Sequence, residues 1–202
     1  MTPDQPTAAG AADTFIEPPW GAPLDHDAAL RAIPDDAQIS GMFTAPLVAE
    51  SKRIKPLPDG SRERYVAFQF YPLREHARWL VDTAHASYPN LPLRGALRKL
   101  GRGAPAAFLA STLGKVMLES ATSWNEFVAA FCKAYALNLR PGRAVVLDSQ
   151  ANRLVVRLED VHYFIDSHHV GVFEGLMKHS QLRGHVRVRM RGRASADLQL
   201  EW

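Results

Sequence analysis

Three ionisable side chains stand close together in the last third of the chain. Asp160, His162 and Asp166 precede two adjacent histidines, His168 and His169. A carboxylate beside an imidazole can perform general acid–base chemistry, since histidine titrates near neutral pH. One hypothesis is therefore an enzyme of unspecified type with a site near Asp160, His162 and Asp166.

Metal binding and nucleophilic catalysis have less support. His168 and His169 would point about 100° apart on a helix, and no His-x-x-x-His pair occurs. Cys132 is the only cysteine, so a thiolate zinc site lacks ligands, and its apolar neighbours are typical of an inert core thiol. We predict no catalytic residue and no metal.

An arginine ladder near the C-terminus is a candidate anion site. Four arginines alternate with apolar residues and should project from one face of a strand: Arg187, Arg189, Arg191 and Arg193. The first three are the candidate anion-binding residues, with nucleic acid as the corresponding partner.

A structural alternative explains the same ladder. The next strand places three polar residues at alternate positions: Asp197, Gln199 and Glu201. In an antiparallel hairpin these residues can lie opposite the arginines, where cross-strand pairs fix the register. We favour this interpretation and do not expect a nucleic-acid partner.

Several aromatic residues and one histidine define a candidate ligand pocket. They are Phe108, Phe127, Phe131, Tyr163, His162 and Phe173, and Tyr135 could line the same cavity. Such residues can line a cavity, and they are equally typical of a closed hydrophobic core.

Composition indicates a globular domain with an acidic leader. Of the 202 residues, 47% are hydrophobic and 22% are charged, and no apolar run is long enough for a membrane span. Residues 1–50 carry one basic and eight acidic residues, whereas the rest of the chain is strongly basic. The N-terminus lacks a secretion signal, so the cytoplasm is the expected compartment.

Proline and serine mark the predicted helix starts. Helices are expected from Pro72, from Pro92 to about Gly101, from Pro105, and from Ser123, which opens a capping box. Residues 1–33 contain five prolines among small and acidic residues, which predicts a disordered or loosely docked tail. Residues 34–202 are expected to form a single α+β domain.

After residue 141 the pattern changes to β-β-α-β-β. Two hairpins joined by one helix predict a four-stranded antiparallel sheet with helices packed on one face. Asp166 or Ser167 is expected to cap the central helix. Gly171 and Gly175 lie on one stripe of this helix, where a sheet or a neighbouring helix can approach closely.

Some short motifs resemble those of an uncharacterised paralogous family of myxobacteria. They are Tyr71–Glu75, Tyr88-Pro89 with Pro92–Arg94, Pro141–Arg143, and the segment from Asp160 to Gly175. The resemblance covers residues 33–202. That family, a domain of unknown function, implies no particular chemistry.

The element order is also similar to the heme-nitric-oxide/oxygen-binding fold and to vinyl-reductase-like ligand-binding domains. This architectural likeness implies ligand sensing between helices and sheet. The chain lacks a histidine between His85 and His162, and the strand region before the last helix lacks a Tyr-x-Ser-x-Arg pattern. Heme and zinc are therefore disfavoured, and no cofactor is predicted.

Taken together, these patterns favour a non-enzymatic sensory or regulatory module. Its expected partner is a small apolar molecule or another protein, and a homodimer is compatible with the sequence.

Overall fold

The computed structural model describes residues 14–54, 62, 64–111, 114–116 and 120–202. The first half is mainly helical: α1 His26–Arg31, β1 Gln38–Ser40, α2 Gly41–Ile54, β2 Phe70–Pro72, α3 Leu73–Ser87, α4 Leu93–Leu109 and α5 Trp124–Asn138. The second half contains β3 Leu139–Arg140, β4 Arg143–Gln150, β5 Arg153–Glu159, a π-helical turn Ile165–His169, α6 Val170–His179, β6 His185–Met190 and β7 Ala196–Glu201.

The second half forms a four-stranded antiparallel sheet in the order β4-β5-β7-β6. This confirms the predicted α+β fold. A second sheet was not predicted: β1 lies between β2 and β3, and its three short strands tie the helical half to the start of β4. In the described part of the chain, no helix has the length and apolar character needed to cross a membrane.

Three glycines allow α4 and α6 to approach closely. A Cβ on Gly171 would overlap the Arg98 carbonyl oxygen, and one on Gly175 would crowd the Arg102 carbonyl. From the other side, a Cβ on Gly101 would overlap the His168 carbonyl. The prediction that Gly171 and Gly175 face a neighbouring element is confirmed, and that element is α4.

Helix α4 does not end where the sequence predicted. It continues through Gly101, Gly103 and Pro105 to Leu109, so the expected break and new start at Pro105 are wrong. Proline lacks an N–H and normally weakens a helix interior. Here Gly101 and Pro105 are both buried, and the packing of α6 against α4 outweighs the local preference.

The end of the N-terminal region lies against the domain. Ile16 forms an antiparallel bridge with Val188 on β6, and the Arg98 guanidinium stacks on the Trp20 ring at 3.4 Å. Leu30 and Ile33 are buried in the core. Residues 1–13 of the predicted tail lie outside the described residues, and the boundary at residue 33 stays a prediction.

The arginine ladder has the predicted cross-strand partner. Asp197 on β7 lies opposite Arg157 on β5 and Arg189 on β6. Its carboxylate accepts hydrogen bonds from Arg157 Nε at 2.7 Å and Arg189 Nη2 at 2.8 Å. The hairpin interpretation is therefore confirmed for Arg189.

Candidate functional site

A cavity of about 320 Å³ lies among α2, α3, α4, α5 and the π-helical turn. Its exposed rim is formed by residues of α2 and α4, including Pro46, Glu50, Lys99 and Ala107. Apolar side chains form most of the wall: Met42, Phe43, Leu47, Leu80, Leu100, Phe108, Phe131 and Val172. The volume is at the lower end of the range of roughly 300–1,000 Å³ that is usual for small-molecule sites.

The cavity wall also contains buried polar side chains. It contains three histidines and two tyrosines: His76, Tyr135, Tyr163, His168 and His169. All five are buried. We call this set the His–Tyr cluster. In small-molecule sites a few polar groups among apolar walls fix the orientation of the ligand.

The π-helical turn positions two of these histidines. Phe164 has left-handed backbone angles (φ 42°, ψ 45°) and redirects the chain after β5. The wider π turn, Ile165–His169, then places His168 and His169 on the inner side. π-helical turns occur frequently at functional sites.

The predicted cap of the central helix is wrong. Asp166 forms an ion pair with Arg94 on α4, and the Ser167 hydroxyl lies 3.5 Å from the Phe164 carbonyl oxygen. Neither side chain caps, because the π turn already continues into α6. The Asp166–Arg94 pair instead holds the π turn against α4.

A chain of hydrogen bonds satisfies most of the cluster. His169 Nδ1 lies 3.4 Å from the Phe164 carbonyl oxygen, which can only accept, so Nδ1 carries the proton. His169 Nε2 then accepts from the Tyr135 hydroxyl. The Tyr135 oxygen, 3.1 Å from the Tyr163 hydroxyl, accepts from it in turn. Separately, His76 Nδ1 lies 3.1 Å from the Thr44 hydroxyl.

His168 is the exception. Its side chain lines the cavity, only 6% of the residue is exposed, and its buried Nδ1 has no hydrogen-bond partner among the described residues. A buried polar atom without a partner destabilises the protein. One covered nitrogen of this imidazole thus lacks a partner among the described residues, while the ring also has a hydrogen bond with the Leu97 backbone.

Burial keeps the whole cluster uncharged at neutral pH. Desolvation lowers the pKa of His76 to about 3, with a smaller contribution from His168. It lowers the pKa of His168 to about 4, partly opposed by the nearby Leu97 carbonyl, and holds the pKa of His169 well below its usual range. Desolvation also raises the pKa of Tyr135 and Tyr163 well above that of free tyrosine. The inner wall thus offers hydrogen bonds and no charge.

Some residues of the predicted pocket line the cavity and others do not. Phe108, Phe131 and Tyr163 line the cavity. Phe127 and Phe173 are buried in the core and are not among its lining residues. His162 is half-buried in the segment between β5 and the π turn, outside the lining. Ligand binding by these six residues stays a prediction.

The residues of the enzyme hypothesis are not joined into one site. Asp160 is exposed, with φ 54°, and Asp166 pairs with Arg94. No hydrogen bond links Asp160, His162 and Asp166 in the described part of the chain. There, no group of three or more metal-ligating side chains occurs either.

Sequence reasoning missed three members of the His–Tyr cluster as ligand-binding candidates: His76, His168 and His169. The adjacent histidines directly before an apolar helix were the available signal. A regular helix would have pointed them apart, and the π turn was not foreseen. His76 and Tyr135 lie on separate helices, so only tertiary packing brings them to the same wall.

The candidate anion-binding arginines lie on the sheet, away from the cavity. Arg189 and Arg191 point to Asp197, at 2.8 and 3.5 Å, and Arg187 lies 3.3 Å from Glu17. Although burial alone would raise it, the pKa of Asp197 is lowered by hydrogen bonds from Arg157 and Arg189. Anion binding by Arg187, Arg189 and Arg191 is untested.

The fold is similar to that of H-NOX proteins. An H-NOX protein from S. oneidensis in the Fe(II) state has a TM-score of 0.56 and 13% identity, covering 81% of this chain and 95% of its own. A mutant H-NOX protein from K. algicida, in the unliganded Fe(II) state, has a TM-score of 0.53 and 13% identity, covering 87% and 92%. A third structure, from a study of heme distortion in the H-NOX family, has a TM-score of 0.57 and 13% identity, covering 80% of this chain and 92% of its own.

At such identities the likeness shows the fold alone. No curated protein is similar enough to match the chain. A family model described as "Protein of unknown function (DUF2378)" matches residues 32–202, which include every helix and strand from β1 to β7. The chain therefore belongs to this family of unknown function, built on an H-NOX-like α+β fold.

Proposed function

We propose that this protein is a sensory or regulatory module that binds a small, mainly apolar molecule in the cavity between its helices. One observation carries the proposal: an apolar cavity opens to solvent between α2 and α4 and has buried polar side chains in its wall. Small-molecule sites combine apolar walls with a few placed polar groups in this way. The H-NOX-like fold supports a ligand-binding role.

Heme does not fit the lining residues well. Both ring nitrogens of His169 are engaged, and His76 Nδ1 lies beside the Thr44 hydroxyl. A tetrapyrrole also carries two propionates. The described cavity lining has one cationic side chain at its rim, Lys99, together with the acidic Glu50. The proposed ligand is therefore smaller and less charged than heme.

Native mass spectrometry of freshly purified protein tests the proposal. We expect the mass spectrum to show a bound small molecule of low mass. In a separate experiment hemin is added and the protein is desalted, and we expect no absorption band of a bound porphyrin. A bare chain that also fails to bind any small apolar probe would contradict the proposal, and a stable hemin complex would replace the ligand class.

A blocking variant locates the site. Ala107 lies on the cavity rim, whereas Ala106 is an exposed neighbour on the same helix and outside the lining. We expect Ala107→Trp to abolish ligand retention because the indole occupies the opening. Ala106→Trp is the matched control and should retain the ligand. Equal behaviour of the two variants would place the ligand elsewhere.

A further inference from the structure

We propose that the outer edge of β6 is a docking site for an extended acidic segment of a partner protein. Such a segment pairs with β6 as a further strand of the sheet and takes the place of residues 14–18 of the same chain, which we call the resident segment. The addition of a strand to a sheet edge is a recurring mode of peptide recognition. The site lies on the sheet, away from the cavity, and does not depend on the ligand proposed there.

The backbone of the resident segment shows how the edge is used. Ile16 N donates to the Val188 oxygen and Val188 N donates to the Ile16 oxygen, each at 2.9 Å. The two residues form an antiparallel bridge. An exchange of both hydrogen bonds is the geometry of a bonded residue pair in an antiparallel ladder. Since β6 pairs with β7 along its other edge, this bridge lies on the outer edge of the sheet.

The side chains beside the bridge follow the same register. Because residue 16 pairs with residue 188, Phe15 lies opposite Arg189 and Glu17 lies opposite Arg187. The Arg189 guanidinium is 4.5 Å from the centroid of the Phe15 ring. Arg187 Nε is 3.3 Å from a carboxylate oxygen of Glu17. The edge thus contacts an aromatic and an acidic side chain at alternate positions of an extended segment.

The resident segment uses only part of the edge. The register places Thr14 opposite Met190 and Pro18 opposite Val186, and no backbone hydrogen bond joins either of these two pairs. Proline has no N–H and cannot donate to a strand edge. A segment that has other residues at these positions can form both pairs, and it gains hydrogen bonds that the resident segment lacks.

Few contacts oppose displacement of the resident segment. Ile16 is 50% exposed, and the pair of Glu17 with Arg187 is well exposed, so it contributes little to stability. Pro18 and Val186 are both buried, so a partner segment reaches that end of the edge when the resident segment leaves. A pair of backbone hydrogen bonds at one residue is a weak hold compared with a full strand.

Charge favours an acidic partner. Among the described side chains of the sheet, four guanidinium groups share two carboxylates, and Glu17 of the resident segment supplies a third. They are Arg157, Arg187, Arg189 and Arg191, with Asp197 and Glu201. An acidic segment complements this surplus. A second copy that paired through its own β6 would bring like charges together, which disfavours a β6–β6 dimer.

Three fluorescein-labelled hexapeptides test the docking site on the full chain. The first has the sequence of residues 14–19 with Pro18→Val and Pro19→Thr, the second has the unchanged sequence, and the third adds Glu17→Lys to the first. Fluorescence anisotropy in low salt should show the first peptide binding about tenfold more tightly than the second, because its N–H groups can pair with β6. The third should bind more weakly than the first, since its lysine faces Arg187.

Two outcomes with these peptides overturn the proposal. Equal affinity of the first and second peptides would mean that charge alone, without strand pairing, explains the binding. Equal or tighter binding of the lysine peptide would mean that the edge does not select an acidic segment.

Variants of the full chain locate the bound peptide. Ile16→Pro removes the N–H that donates to Val188 and should loosen the resident segment, so the first peptide should bind about tenfold more tightly than to the unchanged chain. Thr14→Pro is the matched control, because the Thr14 N–H makes no backbone hydrogen bond to β6, and it should leave the affinity unchanged. Arg187→Glu should weaken binding of the first peptide and strengthen binding of the lysine peptide.

If the first peptide does not bind the Ile16→Pro chain, the edge of β6 is not a docking site. If Arg187→Glu leaves the affinities of both peptides unchanged, the peptide binds elsewhere and the proposal is wrong. Neither result bears on the ligand of the cavity, so the two proposals fail separately.

Discussion

Two buried polar clusters of this protein solve the same electrostatic problem in opposite ways. The His–Tyr cluster lies between helices, has no counter-charge among the described residues around it, and is held neutral by burial. Asp197 on the sheet is also fully covered, with 0% exposed side chain, yet stays ionised because Arg157 and Arg189 donate hydrogen bonds to it. Burial alone does not decide the charge of a group; its partners do.

The contrast teaches where a ligand is expected. In the charged cluster the strand register places Arg157 and Arg189 opposite Asp197, so these ion pairs stabilise the sheet itself. In the neutral cluster one imidazole nitrogen is left without a partner, as far as the described residues go, beside a cavity. We therefore place the proposed ligand beside the neutral cluster and not at the charged one.

A fall in pH should have the largest effect on the free energy of unfolding, and it should act first through the neutral cluster. Histidines of the unfolded chain titrate near 6.5, whereas His76 and His168 in the folded protein have pKa values of about 3 and about 4. At pH values between the unfolded and folded pKa values, the unfolded chain binds more protons than the folded protein. The free energy of unfolding is therefore highest above pH 6.5 and decreases as the pH falls. The slope is about 1.4 kcal/mol per pH unit for each such histidine.

Urea unfolding at pH 7, 6 and 5 measures this loss. His168→Gln should reduce the slope, and replacement of the exposed His179 by glutamine is the control that keeps it. If the pH dependence of the free energy of unfolding is unchanged in His168→Gln, folding does not lower the pKa of His168. That result would contradict the contrast between the two clusters.

A methyl group at the contact of α4 and α6 should disturb the neutral cluster alone. Gly171→Ala forces a Cβ onto the Arg98 carbonyl, and overpacking costs roughly 1–3 kcal/mol. Gly103→Ala on α4 meets nothing within 4 Å and should stabilise the helix by up to about 1 kcal/mol. Urea unfolding measures the change in the free energy of unfolding, and thus its sign, for both variants. Stabilisation by Gly171→Ala would show that the helices separate easily and that the close contact is unimportant.

Loss of the carboxylate should disturb the charged cluster alone. Asp197→Asn leaves three guanidinium groups facing one another and should lower the free energy of unfolding by about 1–3 kcal/mol, a range reduced for their partial exposure. The loss should shrink in 1 M salt, since salt screens the repulsion. Asp148→Asn, which removes the exposed partner of Arg153, is the control and should cost less than about 1 kcal/mol. If Asp197→Asn and Asp148→Asn lower the free energy of unfolding equally, the ion pairs of Asp197 contribute no more than an ordinary surface pair.

The smallest effect is expected at the outer end of the arginine ladder. Arg187 and Glu17 are both well exposed, at 42% and 63%, so Arg187→Ala should change the free energy of unfolding by less than about 0.5 kcal/mol. Thermal unfolding in low salt measures the difference. A loss above about 1 kcal/mol would indicate that the pairs of Arg187 with Glu17 and Glu201 stabilise the fold more than exposed ion pairs usually do.

The sequence by itself determined the sheet and the partner of its arginines. Alternation of apolar and polar residues has a period of two in strands, so the order β-β-α-β-β and the facing of Arg189 and Asp197 followed from local pattern. The spacing of Gly171 and Gly175 likewise indicated a close contact, because only glycine permits the approach of another backbone.

Only the tertiary structure decided the candidate site. The continuous path of α4 through Gly101 and Pro105 depends on contact with α6, which no local preference encodes. The π turn that turns His168 inward follows an unusual backbone conformation at Phe164. His76 and Tyr135 reach the cavity from helices far apart in the chain, and such a wall exists only once distant elements have packed.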